Sequence, residues 1–484
     1  MAAKEFIVAI ELGSSKVTGI AGKKNLDGSI SVLTVVTEES AGFIRKGVVY
    51  NIDKTAQCIA NIVKKLTTAL QTDIQLVYVG VGGQSIRSVK NNIVKNLPEE
   101  TIVTQEMVNE LMDGNRNMTY QDQEILDAAT QEYKVDNQYQ MDPVGIQCSR
   151  LEGNFLNILW RRMFYRNLNK CFDLANVAIA EMYLAPLALA DAVLTDAEKR
   201  SGCVLVDLGA DTTTVSVYFK NVLRHLAVIP LGGNNITKDI ASLQIEEAHA
   251  EQMKLKYGSA VTDNSDIDNS LNISIDGDRS IESRKFVEIV EGRIQEIIEN
   301  VWYQVPSEYA DRLLGGIILT GGGSNMKNIE TAFRNHTHIE KIRVAKFVTH
   351  TINAKDPIIT ENNGTMNTVL GILAKGDMNC AGEEVDPNVD LFTEKPIPTT
   401  TTADIHREPR KINEIQSGVV LTEAEKQKAE EERRRAEEEA AARAIEEAAI
   451  AEAEEAEDEN KGNGLKKIAK KIGNIFKSMV AEDE

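Results

Sequence analysis

An acid, a glycine and a run of hydroxyl groups stand close together in residues 204–217, VLVDLGADTTTVSV. Asp207 ends an apolar run typical of a buried strand, and Gly209 permits a tight bend before the threonines at 212–214. Successive backbone N–H groups in such a turn can form an anion-binding nest, while the carboxylate holds hydrated Mg²⁺. Taken alone, an acidic hairpin of this kind is more often only a turn between two strands.

Residues 6–20, FIVAIELGSSKVTGI, repeat the same design near the start of the chain. Glu11 ends the apolar strand, Gly13 follows two residues later, and hydroxyl groups at 14 and 15 precede Lys16 and a second apolar strand. The separation of the two copies, about 200 residues, is not a solenoid period. We therefore predict two related lobes that each present one hairpin to a shared ligand.

A third glycine-rich turn, residues 317–324 (IILTGGGS), follows an apolar strand and precedes a predicted helix at 325–333. Gly321, Gly322 and Gly323 let the backbone approach a flat or charged ligand closely. One such turn carries little weight. Two strand–acid–glycine hairpins followed by strand–GGGS, in this order, form a specific constellation.

This constellation resembles the ATP-binding superfamily of actin, heat-shock chaperones and sugar kinases, with two phosphate loops and one adenosine loop. Within it the chain resembles the FtsA family of bacterial cell-division proteins, over roughly residues 5–378. The supporting segments are 42–52 (GFIRKGVVYNI), 229–241 (IPLGGNNITKDIA) and 251–258 (EQMKLKYG). The resemblance implies an α/β, actin-like two-lobed ATPase fold with a small inserted α+β subdomain, then a disordered or helical C-terminal tail.

The resemblance also implies ATP and Mg²⁺ as cofactors, with Glu11 and Asp207 holding the metal through water. The residues implied to contact the cofactor are Gly13, Ser14, Ser15, Lys16, Asp207, Gly209, Asp211, Thr212, Thr213, Gly232, Gly233, Glu251, Lys254, Gly321, Gly322, Gly323 and Ser324. Glu251 and Lys254 stand three apart on one predicted helix face. A solvated ion pair is the alternative there to a contact with the nucleoside ribose.

The first phosphate loop departs from the actin-type pattern at one position, and the second departs from the FtsA pattern at three. Glu11 stands where the first loop of actin-type proteins usually has Asp, although some FtsA-like chains also carry Glu there. In the second loop Ala210 and Asp211 replace two glycines, and Thr214 replaces an acid. A carboxylate at 211 is unfavourable beside a triphosphate unless a cation compensates it, and position 214 lacks a group to position metal or water. We therefore expect nucleotide binding with weak or absent hydrolysis, and Glu11 and Asp207 as the remaining candidates for positioning Mg²⁺ or water.

Composition narrows the class of protein further. A chain of 484 residues should hold several domains, and its net charge of −20 argues against generic nucleic-acid binding. Its five cysteines lack metal-ligand spacing, so we expect reduced core thiols in a cytosolic protein. We find no signal-peptide pattern at the start and no apolar run near the roughly 20 residues of a membrane span.

The order of these features predicts a division into domains. Residues 1–83 and 165–200 form the first lobe, 84–164 an inserted interaction subdomain, 201–240 and 316–380 the second lobe, 241–315 its smaller subdomain, 381–420 a linker, 421–462 a charged helical spacer and 463–484 a membrane-targeting helix. Residues 53–70 have helical periodicity, with Asp53 as the predicted N-cap. In the insert we predict helices at 102–117 and 121–133, and strands at 145–160.

Residues 464–480, GLKKIAKKIGNIFKSMV, predict an amphipathic helix that lies in a membrane interface. Its apolar face is formed by Leu465, Ile468, Ala469, Ile472, Ile475, Phe476, Met479 and Val480. The lysines that flank or oppose this face are Lys466, Lys467, Lys470, Lys471 and Lys477. They favour anionic lipids. Docking on the chain's own globular body is the alternative, but residues 421–460, with sixteen acids against six bases, separate the two.

The leading hypothesis is a polymerising, ATP-binding adaptor of cell division. The resemblance implies FtsZ as a partner, self-association into actin-like filaments, other division proteins bound by the insert, and a peripheral location on the cytoplasmic face of the membrane at the division site. A small-molecule kinase is one alternative, but no acid beyond the phosphate loops stands out as a substrate base. A chaperone ATPase is another, and it would need a β-rich peptide-binding domain in the tail.

Overall fold

The fold is a computed structural model that describes residues 5–263, 267, 272–276 and 279–381. The linker beyond residue 381, the charged spacer and the amphipathic helix lie outside the described residues. The strands are β1 (Ile7–Leu12), β2 (Lys16–Lys24), β3 (Ile30–Glu39), β4 (Ile44–Arg45), β5 (Val48–Val49), β6 (Leu76–Val81), β7 (Arg87–Ile102), β8 (Gln123–Val135), β9 (Gln138–Gln140), β10 (Gln147–Arg161), β11 (Ala178–Leu184), β12 (Cys203–Leu208), β13 (Thr213–Phe219), β14 (Val222–Ile229), β15 (Asn272–Asp276), β16 (Arg279–Glu282), β17 (Gly316–Thr320), β18 (Ile342–Val344) and β19 (Ile352–Asn353).

Helices alternate with these strands along most of the chain. They are α1 (Ile52–Leu70), α2 (Gln105–Arg116), α3 (Arg162–Ala175), α4 (Ala185–Val193), α5 (Asp196–Ser201), α6 (Gly233–Ala241), α7 (Glu247–Tyr257), α8 (Ser283–Tyr303), α9 (Ser307–Ala310), α10 (Ile329–Thr337), α11 (Pro357–Thr360) and α12 (Asn367–Lys375). A 3₁₀ turn, Gly322–Asn325, follows β17.

Two sheets repeat one topology. The first has the strand order β11-β6-β1-β2-β3-β19, and the second begins β18-β17-β12-β13-β14. In the first sheet, β1 pairs antiparallel with β2 and parallel with β6. In the second sheet, β12 pairs antiparallel with β13 and parallel with β17. Both β1 and β12 carry an acid next to their last residue. This duplicated arrangement is the actin-like α/β fold, and it brings the ends of β1 and β12 to equivalent positions in their lobes.

The insert extends the second sheet through β7, β10, β8 and β9. Its strand pairing with the lobe is short and antiparallel, with Ala227 of β14 opposite Arg87 of β7, and the Gln131 side chain adds hydrogen bonds to β14. The insert has its own buried cluster, in which Phe155 packs with Leu111 and Leu151. The largest cluster fills the first lobe and continues onto the second sheet at Leu205 and Ile318, and another cluster lies within the second lobe.

Two local predictions in the first half of the chain are wrong. Residues 121–133 form no helix, because β8 occupies this segment and pairs with both β10 and β9. Tertiary pairing here overrides the helix propensity of its Glu, Gln and Ala residues. The N-cap of α1 is Asn51, whose side chain accepts a hydrogen bond from the Lys54 N–H, while Asp53 lies inside the first turn.

At one point the sheets depart from the expected division into domains. The final part of residues 316–380, expected with the second lobe, joins the first sheet: β19 pairs parallel with β3. Helix α12 packs between α4 and strands β1, β2 and β6. A Cβ on Gly371 of α12 would lie 2.6 Å from the Ala188 carbonyl oxygen of α4, so the two helices are in close backbone contact. The five cysteines are buried and unpaired, as predicted.

Candidate functional site

The two acidic hairpins have the same backbone geometry. The Gly13 N–H donates to the Lys16 carbonyl at 3.0 Å, and the Gly209 N–H donates to the Thr212 carbonyl at 2.9 Å. A Cβ on Gly13 or Gly209 would lie 2.7 or 2.8 Å from that same carbonyl oxygen, so each turn requires glycine. The sequence repeat therefore corresponds to a structural repeat at the level of single hydrogen bonds.

Equivalent carboxylates are the penultimate residues of the two strands that lead into these hairpins. Glu11 stands opposite Thr18 in the first hairpin, and Asp207 stands opposite Thr214 in the second. Burial raises the pKa of Glu11 to about 7, the charge of Asp207 adds to the rise, and Lys16 opposes it. Burial raises the pKa of Asp207 to about 6. Two partly buried carboxylates, one of which makes ionisation of the other less favourable, form a site suited to a cation.

Among the described residues, no group of three or more His, Cys, Asp or Glu side chains is arranged to hold a metal ion. Glu11 and Asp207 alone could not complete the oxygen shell of Mg²⁺. The pair fits a hydrated Mg²⁺ whose other ligands are waters and phosphate oxygens, which is the ion's usual mode in nucleotide sites.

Of the predicted hydroxyl groups, two form hydrogen bonds within the protein and two are accessible to a ligand. Ser14 is buried and its Oγ accepts a hydrogen bond from the Gly47 N–H at 2.8 Å. Thr213 is buried and donates to the Leu231 carbonyl at 2.9 Å. Ser15 is exposed and Thr212 is half-buried. The Ser14 and Thr213 side chains therefore fix the loops, and Ser15 and Thr212 are the hydroxyls left accessible to a ligand.

Lys16 supplies positive charge beside the first hairpin. It is half-buried, and burial lowers its pKa, while Glu11 and Glu361 act in the opposite direction. Its position at the end of the turn lets it balance Glu11 and reach an anionic ligand. Phosphate is the natural class of ligand for such a lysine.

The GGGS turn abuts the second hairpin. Gly321 has a φ of +81°, and a Cβ there would lie 2.3 Å from Asp207 Oδ1. Ser324 is buried and donates its hydroxyl to the Gly321 carbonyl at 2.7 Å, which closes the 3₁₀ turn. A Cβ on Gly323 would lie 2.9 Å from Leu208 Cβ. Gly322 is exposed, and a Cβ there would meet only Thr365 Cγ2, at 3.7 Å. The turn therefore presents an open backbone surface at Gly322.

Gly232 and Gly233, which follow β14, lie against the backbone of the second hairpin. The Gly233 N–H donates to the Gly209 carbonyl at 3.0 Å, and the Asn234 N–H donates to the Ala210 carbonyl at 2.7 Å. A Cβ on Gly232 would lie 2.5 Å from the Ala210 oxygen. The 232–234 segment thus positions the hairpin through its backbone.

Glu251 and Lys254 form a partly buried ion pair. Lys254 is 9% exposed, and its Nζ lies 2.6 Å from Glu251 Oε2. The same Nζ donates to the Gly233 carbonyl at 3.2 Å and to Thr237 Oγ1 at 2.9 Å. These three acceptors match the three protons of an ammonium group. Lys254 therefore joins α7 to the start of α6, and the more exposed Glu251 carboxylate is the member of the pair that a ligand could reach.

Sequence reasoning missed two parts of this site. Asn234 holds Asp211 through a 2.7 Å bond from its Nδ2, and the Lys46 N–H lies 3.2 Å from the other carboxylate oxygen. The side-chain amide at the start of α6 was a readable signal for the first contact. The second could not be read, because it joins backbone and side chain across 165 positions. None of the described helices is long and apolar enough to cross a bilayer.

Replacing the buried acid of the first hairpin should stabilise the ligand-free protein in a pH-dependent way. The pKa of Glu11 is raised from 4.5 to about 7, so the folded state holds the proton more tightly than the unfolded state. The stability that this group provides is present below pH 4.5 and is lost as the pH rises through 7. Glu11→Gln should therefore gain about 1–2 kcal/mol at pH 8 and less at pH 5.5.

Thermal unfolding in EDTA at both pH values measures this difference. Glu99→Gln, the same change at an exposed position of β7, is the matched control and should show no such trend. A Glu11→Gln variant that is less stable than the unaltered chain at pH 8 would contradict the electrostatic assignment.

Comparisons with known proteins agree with this architecture. The family model "Cell division protein FtsA" matches residues 204–362, and the model "SHS2 domain inserted in FTSA" matches residues 83–159. The cell division protein FtsA of Porphyromonas gingivalis is 32% identical over 332 residues, which are 67% of this chain and 69% of that protein.

Two further matches extend the comparison. FtsA of Pseudomonas aeruginosa is 30% identical over 329 residues, 67% of this chain and 79% of the relative. Among solved structures, the PilM-PilN type IV pilus biogenesis complex aligns with a TM-score of 0.49 and 14% identity, over 76% of this chain and 97% of that one. The sequence matches are decisive: this chain belongs to the FtsA family of cell division proteins.

Proposed function

We propose that this chain binds Mg²⁺–ATP between its lobes and links FtsZ filaments to the cytoplasmic face of the membrane through its C-terminal amphipathic helix. The observation that carries the nucleotide part is the pair of equivalent hairpins. The charge of Asp207 in the second hairpin helps to raise the pKa of Glu11 in the first, and the second hairpin contacts the GGGS turn. Family membership supports the role in cell division.

Each residue of the cleft has a defined part in this proposal. The hairpin backbones and Lys16 face the phosphates, and Glu11 and Asp207 hold the metal through water. The open backbone at Gly322 lies near the nucleoside, with Glu251 beside the ribose. Bound Mg²⁺ would neutralise phosphate charge and relieve the repulsion between the two acids.

The adaptor part rests on the sequence of the tail and on the family. Eight apolar side chains on one face of a seventeen-residue helix can sink below the lipid headgroups, while the lysines reach the phosphates. One such helix binds moderately, and many helices aligned on a self-associated filament bind far more firmly. We propose that FtsZ and other division proteins, the latter through the insert, are the partners brought to the membrane.

Hydrolysis in this cleft should be slow. Thr214, which stands opposite Asp207, offers a hydroxyl group where the family pattern has an acid. A hydroxyl cannot accept a proton from attacking water near neutral pH as a carboxylate can. The chain therefore fits a nucleotide-dependent assembly protein better than a kinase or a chaperone ATPase, both of which depend on turnover.

Filling the space above the GGGS turn should block the nucleotide without unfolding the protein. Gly322→Leu adds a side chain where a Cβ meets only Thr365, so the fold has room for it. A ligand lying on this backbone does not, and overlap should weaken ATP binding by about tenfold or more. Isothermal titration measures this loss.

The matched control for that variant is Gly292→Leu on α8, where a Cβ would have open space. It should keep the affinity of the unaltered chain. Equal ATP affinity in Gly322→Leu and Gly292→Leu would remove the GGGS turn from the nucleotide site.

Restoring the missing acid should raise turnover. Thr214→Asp places a carboxylate next to Asp207, and we expect phosphate release to rise by about tenfold or more. Thr214→Asn, which has the same shape without the charge, should leave the rate unchanged. Fast steady-state phosphate release by the unaltered chain would contradict the proposal.

Removing the apolar face of the terminal helix should release the protein from anionic liposomes. Deletion of residues 464–484, or Ile472→Glu with Phe476→Glu, should abolish co-sedimentation and recruitment of FtsZ. Asn474→Glu with Ser478→Glu adds the same charge to the polar face and should leave most binding intact. High salt should weaken binding only in part, because the apolar contribution is not screened.

Two outcomes would overturn the membrane assignment. The truncated chain could sediment with liposomes as well as the intact one, which would place the anchor elsewhere. Alternatively, the two double variants could lose binding equally, which would make charge and not apolar burial responsible.

A further inference from the structure

The Asp211 carboxylate joins the second phosphate hairpin to the first lobe. Asp211 Oδ1 accepts a hydrogen bond from Asn234 Nδ2 at 2.7 Å, within its own lobe. Asp211 Oδ2 accepts from the Lys46 backbone N–H at 3.2 Å, in the turn between β4 and β5 of the first lobe. One side chain therefore uses its two oxygens to contact two lobes.

The second-lobe side of this contact is rigid. The hairpin that carries Asp211 is bonded to the start of α6 by Gly233 N–H to Gly209 and by Asn234 N–H to Ala210. With the Asn234 side chain, three hydrogen bonds fix the carboxylate relative to α6. Movement between the lobes must therefore be taken up at the Lys46 bond, which is exposed.

The first-lobe side is a turn that contacts the base of the insert. Lys46 and Gly47 have positive φ values of 51° and 72°. The Gly47 N–H donates to Ser14 Oγ of the first phosphate hairpin at 2.8 Å, and the Lys46 carbonyl accepts from the Gln84 N–H at 2.8 Å. A Cβ on Gly83 would lie 2.4 Å from the Gly47 oxygen, so the chain enters the insert in direct contact with this turn.

Both ends of the insert meet at this point. Gln84 precedes β7, the first strand of the insert, and its carbonyl accepts a hydrogen bond from Trp160 Nε1 at 3.3 Å. Trp160 lies at the end of β10, the last strand of the insert. A shift of the Lys46–Gly47 turn would therefore move the first and the last strand of the insert together.

We propose that Asp211 is a positioning residue that ties the second phosphate hairpin to the Lys46–Gly47 turn. This tie couples closure of the cleft to the position of the insert relative to the first lobe. A single exposed hydrogen bond to a charged acceptor is strong enough to bias two arrangements of the lobes and weak enough to break. Glycine, usual at this position in the family pattern, could not form it.

Two variants separate these contacts. Asp211→Gly removes both carboxylate oxygens and with them both contacts. Asn234→Ala removes the contact within the lobe and keeps the one between lobes. Lys46→Ala keeps the backbone donor and is the control for the first-lobe side.

Hydrogen–deuterium exchange of the full chain without nucleotide tests the tie itself. In Asp211→Gly the amides of Lys46 and Gln84 should exchange about fivefold faster, with the melting temperature unchanged. Lys46→Ala should exchange as the unaltered chain does, after correction for its intrinsic rate. Unchanged exchange at both amides in Asp211→Gly would overturn the proposal.

A second measurement tests the coupling to the nucleotide, and this part rests on the proposed function. Release of a fluorescent ATP analogue should be about fivefold faster from Asp211→Gly than from the unaltered chain, and Asn234→Ala, which keeps the contact between lobes, should release it more slowly than Asp211→Gly does. Equal release rates would overturn the coupling even if the exchange result holds. If the unaltered chain binds no analogue, nucleotide binding itself fails, and the exchange experiment still decides the tie.

Discussion

The structure depends on the electrostatic cost of placing two carboxylates at the facing ends of two equivalent strands. Glu11 and Asp207 are held there by the central strands of their sheets. Burial raises the pKa of Asp207 to about 6, and burial together with the charge of Asp207 raises the pKa of Glu11 to about 7. Such an arrangement favours binding of a cation, because a bound cation would reduce the repulsion between the Glu11 and Asp207 carboxylates. The glycine turns, the GGGS backbone and Lys16 surround this pair and add phosphate-compatible groups.

The two lobes are joined differently at the crossover and at the cleft. At the chain crossover between α4 and α5, Arg343 forms two hydrogen bonds to Glu198, at 2.6 and 2.8 Å. Burial opposes ionisation of Glu198, yet these bonds and the Thr195 N–H lower its pKa to about 2. Asp191 of α4 lies 2.6 Å from both Lys199 and Lys375, which ties α4 to α5 and α12 within the first lobe. The crossover is therefore joined by a two-bond ion pair, whereas the Asp211–Lys46 contact at the phosphate loops is one exposed bond. Movement between the lobes should therefore pivot at the crossover and open at the loops.

Structure that depends on one short segment could be predicted from the sequence, and contacts between distant segments could not. The repeated strand–acid–glycine pattern predicted both hairpins, because a glycine turn after an apolar strand is fixed by residues within one segment. The same reasoning failed at residues 121–133, whose helix-forming residues are held as strand β8 between two neighbours. It also could not find the Lys46–Gly47 turn, since a lysine with positive φ has no sequence signature. The roles of Glu251 and Lys254 stayed open until burial separated the held lysine from the more exposed acid.

The second phosphate loop differs from the family pattern at positions 211 and 214, and both differences have the same physical consequence. At position 211 a flexible glycine is replaced by a side chain that fixes the loop to α6 and to the other lobe, and at 214 an acid is replaced by a hydroxyl. On the proposed function, both changes lengthen the time spent closed around the nucleotide, one by holding the lobes together and the other by slowing hydrolysis. A membrane adaptor gains from a long-lived closed state, because its terminal helices bind firmly only while many copies stay aligned. Persistence of the assembled state, and not turnover, is then the property that this cleft is built to control.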